Sequence, residues 1–147
     1  MAKHHPTSQL ALGGLVPFTT IDFPGRLAAV LFCQGCPWRC SYCHNQHLQP
    51  RNTCTPNNAL HWSQVLDWLA SRQGLIDGVV FSGGEPLLQS SLPDAIAEVR
   101  AMGFATALHT AGIYPQRLAA MLPLLDWVGF DVKAPFDAYV PIVGCNG

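Results

Sequence analysis

Three cysteines fall within the eight residues Cys36-Pro37-Trp38-Arg39-Cys40-Ser41-Tyr42-Cys43, spaced Cys-x3-Cys-x2-Cys, directly after an apolar run. That spacing brings three sulfurs round one point from a single loop. Thiolates grouped in this way suit soft metal centres, chiefly iron–sulfur clusters and zinc. No fourth thiol stands at a matching spacing, so one iron of a cluster is left without a protein ligand, open to a substrate or cofactor. Structural zinc normally closes four ligands, and the nearby candidate, His44, is adjacent to Cys43 and poorly placed for the same tetrahedron. A disulfide framework suits small secreted chains, and the N-terminal stretch lacks a secretory pattern. The spacing points first to a cluster, with zinc and disulfides as the rivals.

The 147 residues match one domain spanning 1–147, long enough to bury a core. Apolar residues make up 49% and charged residues 12%, an unusually low charge that fits an apolar face meant for a partner or for further sequence. The formal charge is −1 and no basic stripe is present, which argues against nucleic acid as a partner. No apolar run reaches the length of a membrane span. Six cysteines without an export signal lead to the expectation of a reducing, cytoplasmic compartment.

Residues 1–14 read as a lead-in with His4 and His5 solvated, and 15–26 as turns marked by Pro17, Pro24 and Gly25. Asp22 fits either a turn-capping carboxylate or a group facing the site. Residues 27–32 are continuously apolar, the pattern of a buried parallel strand, and Cys33 extends them as a core thiol. Residues 48–62 read as a loop, with Cys54 a bystander. Ser63 can cap a helix presenting Val65, Leu66, Trp68 and Leu69, with Gly74 ending it. Residues 78–81 form a second strand running into Ser82-Gly83-Gly84-Glu85-Pro86, where two glycines let backbone groups approach a ligand. Ser91 and Asp94 resemble a capping box, and Leu92, Ile96, Val99 and Met102 recur at helical spacing before Gly103. A third strand at 104–108 ends at His109-Thr110-Ala111-Gly112, a third helix runs from Pro115 to Leu122, and a fourth strand at 127–130 ends at Asp131-Val132-Lys133.

Strands and helices alternate with short connections, which predicts an α/β fold of about four parallel βα units. Polar residues gather at every strand's C-terminal end, the edge where ligands bind in parallel architectures.

These residues together resemble the radical S-adenosylmethionine (SAM) superfamily. The cysteine loop carries Tyr42 before its last cysteine, and Gly83-Gly84-Glu85-Pro86 follows the second strand. More narrowly, Val16-Pro17-Phe18-Thr19-Thr20-Ile21-Asp22-Phe23-Pro24-Gly25 resembles the activating proteins of anaerobic ribonucleoside-triphosphate reductases. So do Gln34-Gly35-Cys36, Tyr42-Cys43-His44-Asn45 and Asp131-Val132-Lys133-Ala134-Pro135. The likeness runs over about residues 13–144.

The resemblance implies a partial radical SAM (βα) barrel with Cys36, Cys40 and Cys43 ligating one 4Fe–4S cluster whose open iron chelates SAM. It implies Tyr42 against the adenine, and Gly83, Gly84 and Glu85 at the methionine end, with Glu85 a candidate acceptor for the ammonium. It also implies Thr110 and Asp131 in cofactor contact, and Asp131 with Lys133 as a paired acid and base; an ordinary surface ion pair is the plainer reading of those two. Reductive cleavage of SAM would yield a 5′-deoxyadenosyl radical that takes a hydrogen from a glycine of a large reductase. The electron would come from a low-potential donor such as flavodoxin or ferredoxin. No conventional acid–base pair or nucleophile is expected.

Two departures stand out. The activating enzymes usually carry Asp-Thr-Asn-Gly where this chain has His109-Thr110-Ala111-Gly112, and a full barrel has six units where four are read, so a truncated domain is expected. Other readings are a 7-carboxy-7-deazaguanine synthase-like enzyme acting on a small molecule, and a non-catalytic cluster- or zinc-binding remnant.

Overall fold

The computed structural model describes residues 10–51 and 60–144. His4, His5 and Cys54 lie outside them. Five strands form one sheet in the order β1 (Leu12–Thr19), β2 (Ala28–Cys33), β3 (Gly78–Gly83), β4 (Ala105–Thr110) and β5 (Trp127–Phe130). Strands β2 to β5 pair in parallel, with Cys33 opposite Gly83 and Thr110 opposite Phe130. Helices α1 (Trp62–Ala70), α2 (Leu92–Ala101) and α3 (Pro115–Met121) form the intervening crossovers.

The four parallel strands fall where the apolar runs predict them, with β3 and β4 each reaching two residues further. Residues 20–26 form the turns expected of them, but the lead-in and turn reading is corrected over residues 12–19, where β1 pairs antiparallel with β2. Its Gly13, Gly14 and Pro17 disguise it, yet Pro is tolerated on an edge strand. A Cβ on Gly13 would stand 2.1 Å from the Leu48 side chain, which would have to move to admit it. The helix expected to start at Ser63 is capped at His61 instead, whose backbone N–H donates to Gln64 Oε1. Ser91 makes no side-chain cap bond, since its backbone is already helical (φ −81°, ψ −7°) and a capping side chain needs an extended residue.

All three helices pack on one face of the sheet. Leu31, Val79, Phe81 and Leu108 meet Val65 and Leu69 of α1 and Ile96 and Val99 of α2 in the main core. Complete burial of such a side chain stabilises by about 1.5–3 kcal/mol. The opposite face carries a smaller cluster in which Phe23, from the β1–β2 connection, lies against Val30, Val80 and Ala107 and stacks on Trp127 at 6.2 Å. One-sided helices give the parallel strands an outer, covered face and an inner one, the arrangement of a partial (βα) barrel. After β5 the chain adds an unanticipated short helix, α4 (Tyr139–Val143).

Candidate functional site

The C-terminal ends of the parallel strands surround a cavity of about 520 Å³. Its lining brings together Cys36, Cys40, Tyr42 and Cys43 from the cysteine loop with Gly83, Gly84, Glu85, Thr110, Asp131 and Lys133. Residues that the sequence separates by almost a hundred positions therefore meet at one rim.

The cysteine loop leaves β2 and is pinned at its base. Gly35 and Cys36 donate their backbone N–H groups to the carbonyls of Leu48 (2.6 Å) and Gln49 (3.0 Å). The buried Gln34 side chain donates to the carbonyls of His47 (3.1 Å) and Pro50 (2.7 Å). Within the loop the Arg39 guanidinium donates to the carbonyls of Cys36 and Trp38, and Cys43 N–H donates to Cys40 O at 3.1 Å. These bonds set the curve that turns the three thiols into the cavity.

Cys36, Cys40 and Cys43 are free thiols, and so is the fully buried Cys33 of β2. Burial pushes the Cys36 thiol up from its ordinary range, against a backbone hydrogen bond at Trp38. Burial also raises Cys40, opposed by the Lys133 charge. Among the described residues no three His, Cys, Asp or Glu side chains converge at the spacing of a single metal ion. Three cysteine sulfurs from one loop suit a cluster, which would take one sulfur on each of three irons. The donor set and the cavity's size fit a cluster with a further ligand beside it.

The two glycines also serve the fold itself. A Cβ on Gly84 would stand 2.2 Å from Gly35 O, and one on Gly83, at φ +118°, 2.3 Å from Cys33 N. Their missing side chains let β3 zip onto the base of the cysteine loop: Gly84 N–H donates to Cys33 O, and Glu85 N–H to Gly35 O, both at 2.9 Å. Both glycines also line the cavity.

Glu85 is 1% exposed, and its carboxylate is held by protein donors. Oε1 accepts from the Thr110 hydroxyl (2.6 Å) and Leu87 N–H (3.2 Å); Oε2 accepts from Ala111 N–H (3.0 Å). Burial raises the Glu85 carboxyl above its usual range, and these three bonds oppose the rise. Glu85 therefore ties the end of β3 to the end of β4.

Across the cavity, Lys133 pairs with Asp131 and lies over the Tyr42 ring. Burial pulls the Lys133 ammonium down, but its bond to Asp131 and the attraction of that carboxylate outweigh it, leaving it above the usual range. His109 also lines the cavity; its Nε2–H donates to the Asp22 carbonyl at 2.9 Å and its ring meets Trp127 edge-on. The Asp22 carboxylate accepts from the Thr19 hydroxyl, the turn-capping reading of that residue. Sequence reasoning missed the structural reach of Trp38, Arg39 and Tyr139, which brace the loop; only the aromatic rings flanking the cysteines and the fourth strand hinted at it.

Comparison with known proteins fits this geometry. The model of the Radical SAM superfamily matches residues 30–147. A Methanocaldococcus jannaschii protein carrying the name of a glycyl-radical enzyme activating enzyme is 34% identical over 143 residues, which cover 92% of this chain and 55% of that protein. The pyruvate formate-lyase-activating enzyme of Clostridium pasteurianum is 35% identical over 130 residues, covering 84% of this chain and 53% of the relative. The chain thus spans about half the length of the curated relatives it matches. Among solved structures, QueE from Escherichia coli shares the fold with a TM-score of 0.54 at 23% identity, covering 71% of this chain and 53% of that one. No helix among the described residues is long and apolar enough to cross a membrane. With its family model spanning most of the sequence and its three cysteines turned into one strand-end cavity, this chain belongs to the radical SAM superfamily.

Proposed function

We propose that the chain binds one 4Fe–4S cluster through Cys36, Cys40 and Cys43, binds SAM beside it, and generates a glycyl radical on an anaerobic ribonucleoside-triphosphate reductase. The observation that carries this reading is the cavity itself, where three free thiols face the Gly83–Glu85 turn, Thr110 and the Asp131–Lys133 pair. When bound, the cluster and SAM supply one-electron chemistry that ends in removal of a hydrogen atom from carbon.

The residues of this chain bind and orient. Tyr42, with half of its surface exposed at the rim, offers a ring face for the adenine. Backbone carbonyls of the Gly83-Gly84 turn receive the methionine end, and Glu85 keeps Thr110 and Ala111 in register beside it. Asp131 and Lys133 hold the opposite bank. Positioning and exclusion of water and oxygen are the protein's part. The activator class draws support from relatives named for glycyl-radical enzymes. The choice of a ribonucleotide reductase rests on the Val16–Gly25 segment and on Asp131-Val132-Lys133-Ala134-Pro135. A low-potential donor of the flavodoxin or ferredoxin kind supplies the electron.

The test mixes reconstituted protein, SAM and reductant with the purified reductase, and with pyruvate formate-lyase as a second target, under anaerobic conditions. A glycyl-radical doublet on the reductase in electron paramagnetic resonance supports the proposal. A doublet confined to pyruvate formate-lyase moves the target. SAM cleavage with neither protein radicalised favours a small-molecule enzyme.

A further inference from the structure

Helix α4 is fastened to the middle of the cysteine loop. Arg39 N–H donates to Val143 O at 2.7 Å, Ser41 N–H donates to Ile142 O at 3.2 Å, and Val143 is fully buried. At five residues α4 lies far below the roughly 12–15 residues at which an isolated helix becomes marginally stable in water. Its position must therefore come from its contacts with the rest of the chain, these backbone bonds and its side chains together.

Tyr139, the first residue of α4, supplies two such anchors. Its ring meets Trp38 edge-on, with centroids 5.7 Å apart and planes at 66°. Its hydroxyl accepts the backbone N–H of Lys133 at 3.2 Å. One side chain thus touches both banks of the cavity: the loop that carries the three cysteines, and the turn that carries Asp131 and Lys133. None of the other contacts described for the cavity joins those two banks through backbone as well as ring.

We infer that Tyr139 is a positioning residue that fixes the span between the cysteine loop and the Asp131–Lys133 turn. Its geometric part stands alone; its consequence for cofactor binding rests on the proposed cluster and SAM reading. The ring and the hydroxyl have separable effects. Tyr139→Phe keeps the Trp38 contact and removes only the acceptor for Lys133. Tyr139→Leu removes the ring contact as well and leaves α4 held to the loop by its backbone bonds and Val143 alone.

The test is read first on the iron-free full chain, by residue-resolved amide exchange and by alkylation with iodoacetamide. In Tyr139→Phe the Lys133 amide should exchange faster, on the order of 2- to 10-fold, the effect of losing one hydrogen bond. In Tyr139→Leu the Arg39 and Ser41 amides and the Cys40 thiol should gain in reactivity by a similar factor, while Cys33 and the Val80 amide of β3 stay unchanged. In the reconstituted protein, Tyr139→Phe should keep its iron and bind SAM several-fold more weakly. Unchanged Lys133 exchange in Tyr139→Phe overturns the inference. So does a Tyr139→Leu protein in which Val80 accelerates as much as Ser41, which is general destabilisation; should that variant not fold, the Phe variant decides alone. Wild-type protein that takes up no cluster overturns the proposed function and leaves the iron-free result standing.

Discussion

Lys133 stands over the ring of Tyr42, 5.6 Å from its centroid, while its ammonium pairs with the Asp131 carboxylate. The contact joins the cysteine loop to the turn after β5 and closes one side of the cavity. Lys133 is mostly covered and Asp131 is mostly exposed, so the ion pair is worth at most about 1 kcal/mol. The contact's weight lies in orientation. Lys133→Met should leave iron uptake unchanged and weaken SAM binding on the order of 2- to 10-fold, from a cation–π contact of about 0.5–1 kcal/mol and the loss of Asp131's partner. Calorimetric titration of the reconstituted protein with SAM measures it. Equal affinity in the variant reduces the pair to a surface contact.

Gly84→Ala should be among the most damaging single-methyl changes in the chain. The new Cβ meets two backbone carbonyls, those of Gly35 and Leu48, and backbone cannot swing aside as a flexible side chain does. A cost of about 1–3 kcal/mol is expected for forcing a methyl into packed space. Denaturant titration should give a lower midpoint with an unchanged slope, and iron uptake should fall because the base of the cysteine loop is displaced.

The Glu85–Thr110 tie should give a pH-dependent signature. Glu85 has a raised carboxyl in the folded state, so its contribution to stability is fully present below the ordinary carboxyl range and is lost as pH rises through the raised value. The Thr110 hydroxyl moderates that rise by donating to the carboxylate. Thr110→Val removes the donor and should push the Glu85 carboxyl further up. The variant should therefore lose about 1–3 kcal/mol at neutral pH and distinctly less at acid pH. Melting curves of both proteins across pH check the sign; a larger loss at acid pH would contradict the assignment.

The four cysteines described should divide three to one. Serine at Cys36, Cys40 or Cys43 should abolish stable iron uptake while leaving the fold's circular dichroism unchanged, since these thiols face a cavity. Cys33→Ala should retain the iron and lose stability instead, because its fully buried side chain packs in the main core with a thiol held protonated by burial. Loss of iron in Cys33→Ala with normal stability would move that residue into the site.

The contrast between β2 and β1 shows what the sequence makes legible. Ala28–Cys33 is buried on both faces by helices on one side and Phe23 on the other, so its apolar run needs no alternation to be read. Leu12–Thr19 has two glycines and a proline and owes its strand to pairing with β2, a long-range cause that no local pattern records. The same holds for α4, too short to show periodicity and positioned by the cysteine loop. At the site, spacing located the cysteines and the strand ends located the rim. The side-chain partners were hidden. The position of Glu85 beside the glycines was legible, but not its hydrogen bonds from Thr110, Ala111 and Leu87. Gly83 and Gly84 were legible as a place of close approach; that the first atoms a Cβ would strike belong to Cys33 and Gly35 was not.

The most direct test of the cluster-and-SAM reading is anaerobic reconstitution with iron and sulfide, followed by dithionite and SAM, with 5′-deoxyadenosine as the product measured. About four irons per chain are expected, together with deoxyadenosine that is lost in Cys40→Ala. Iron bound without deoxyadenosine, or zinc held by the three cysteines in place of iron, would contradict the account.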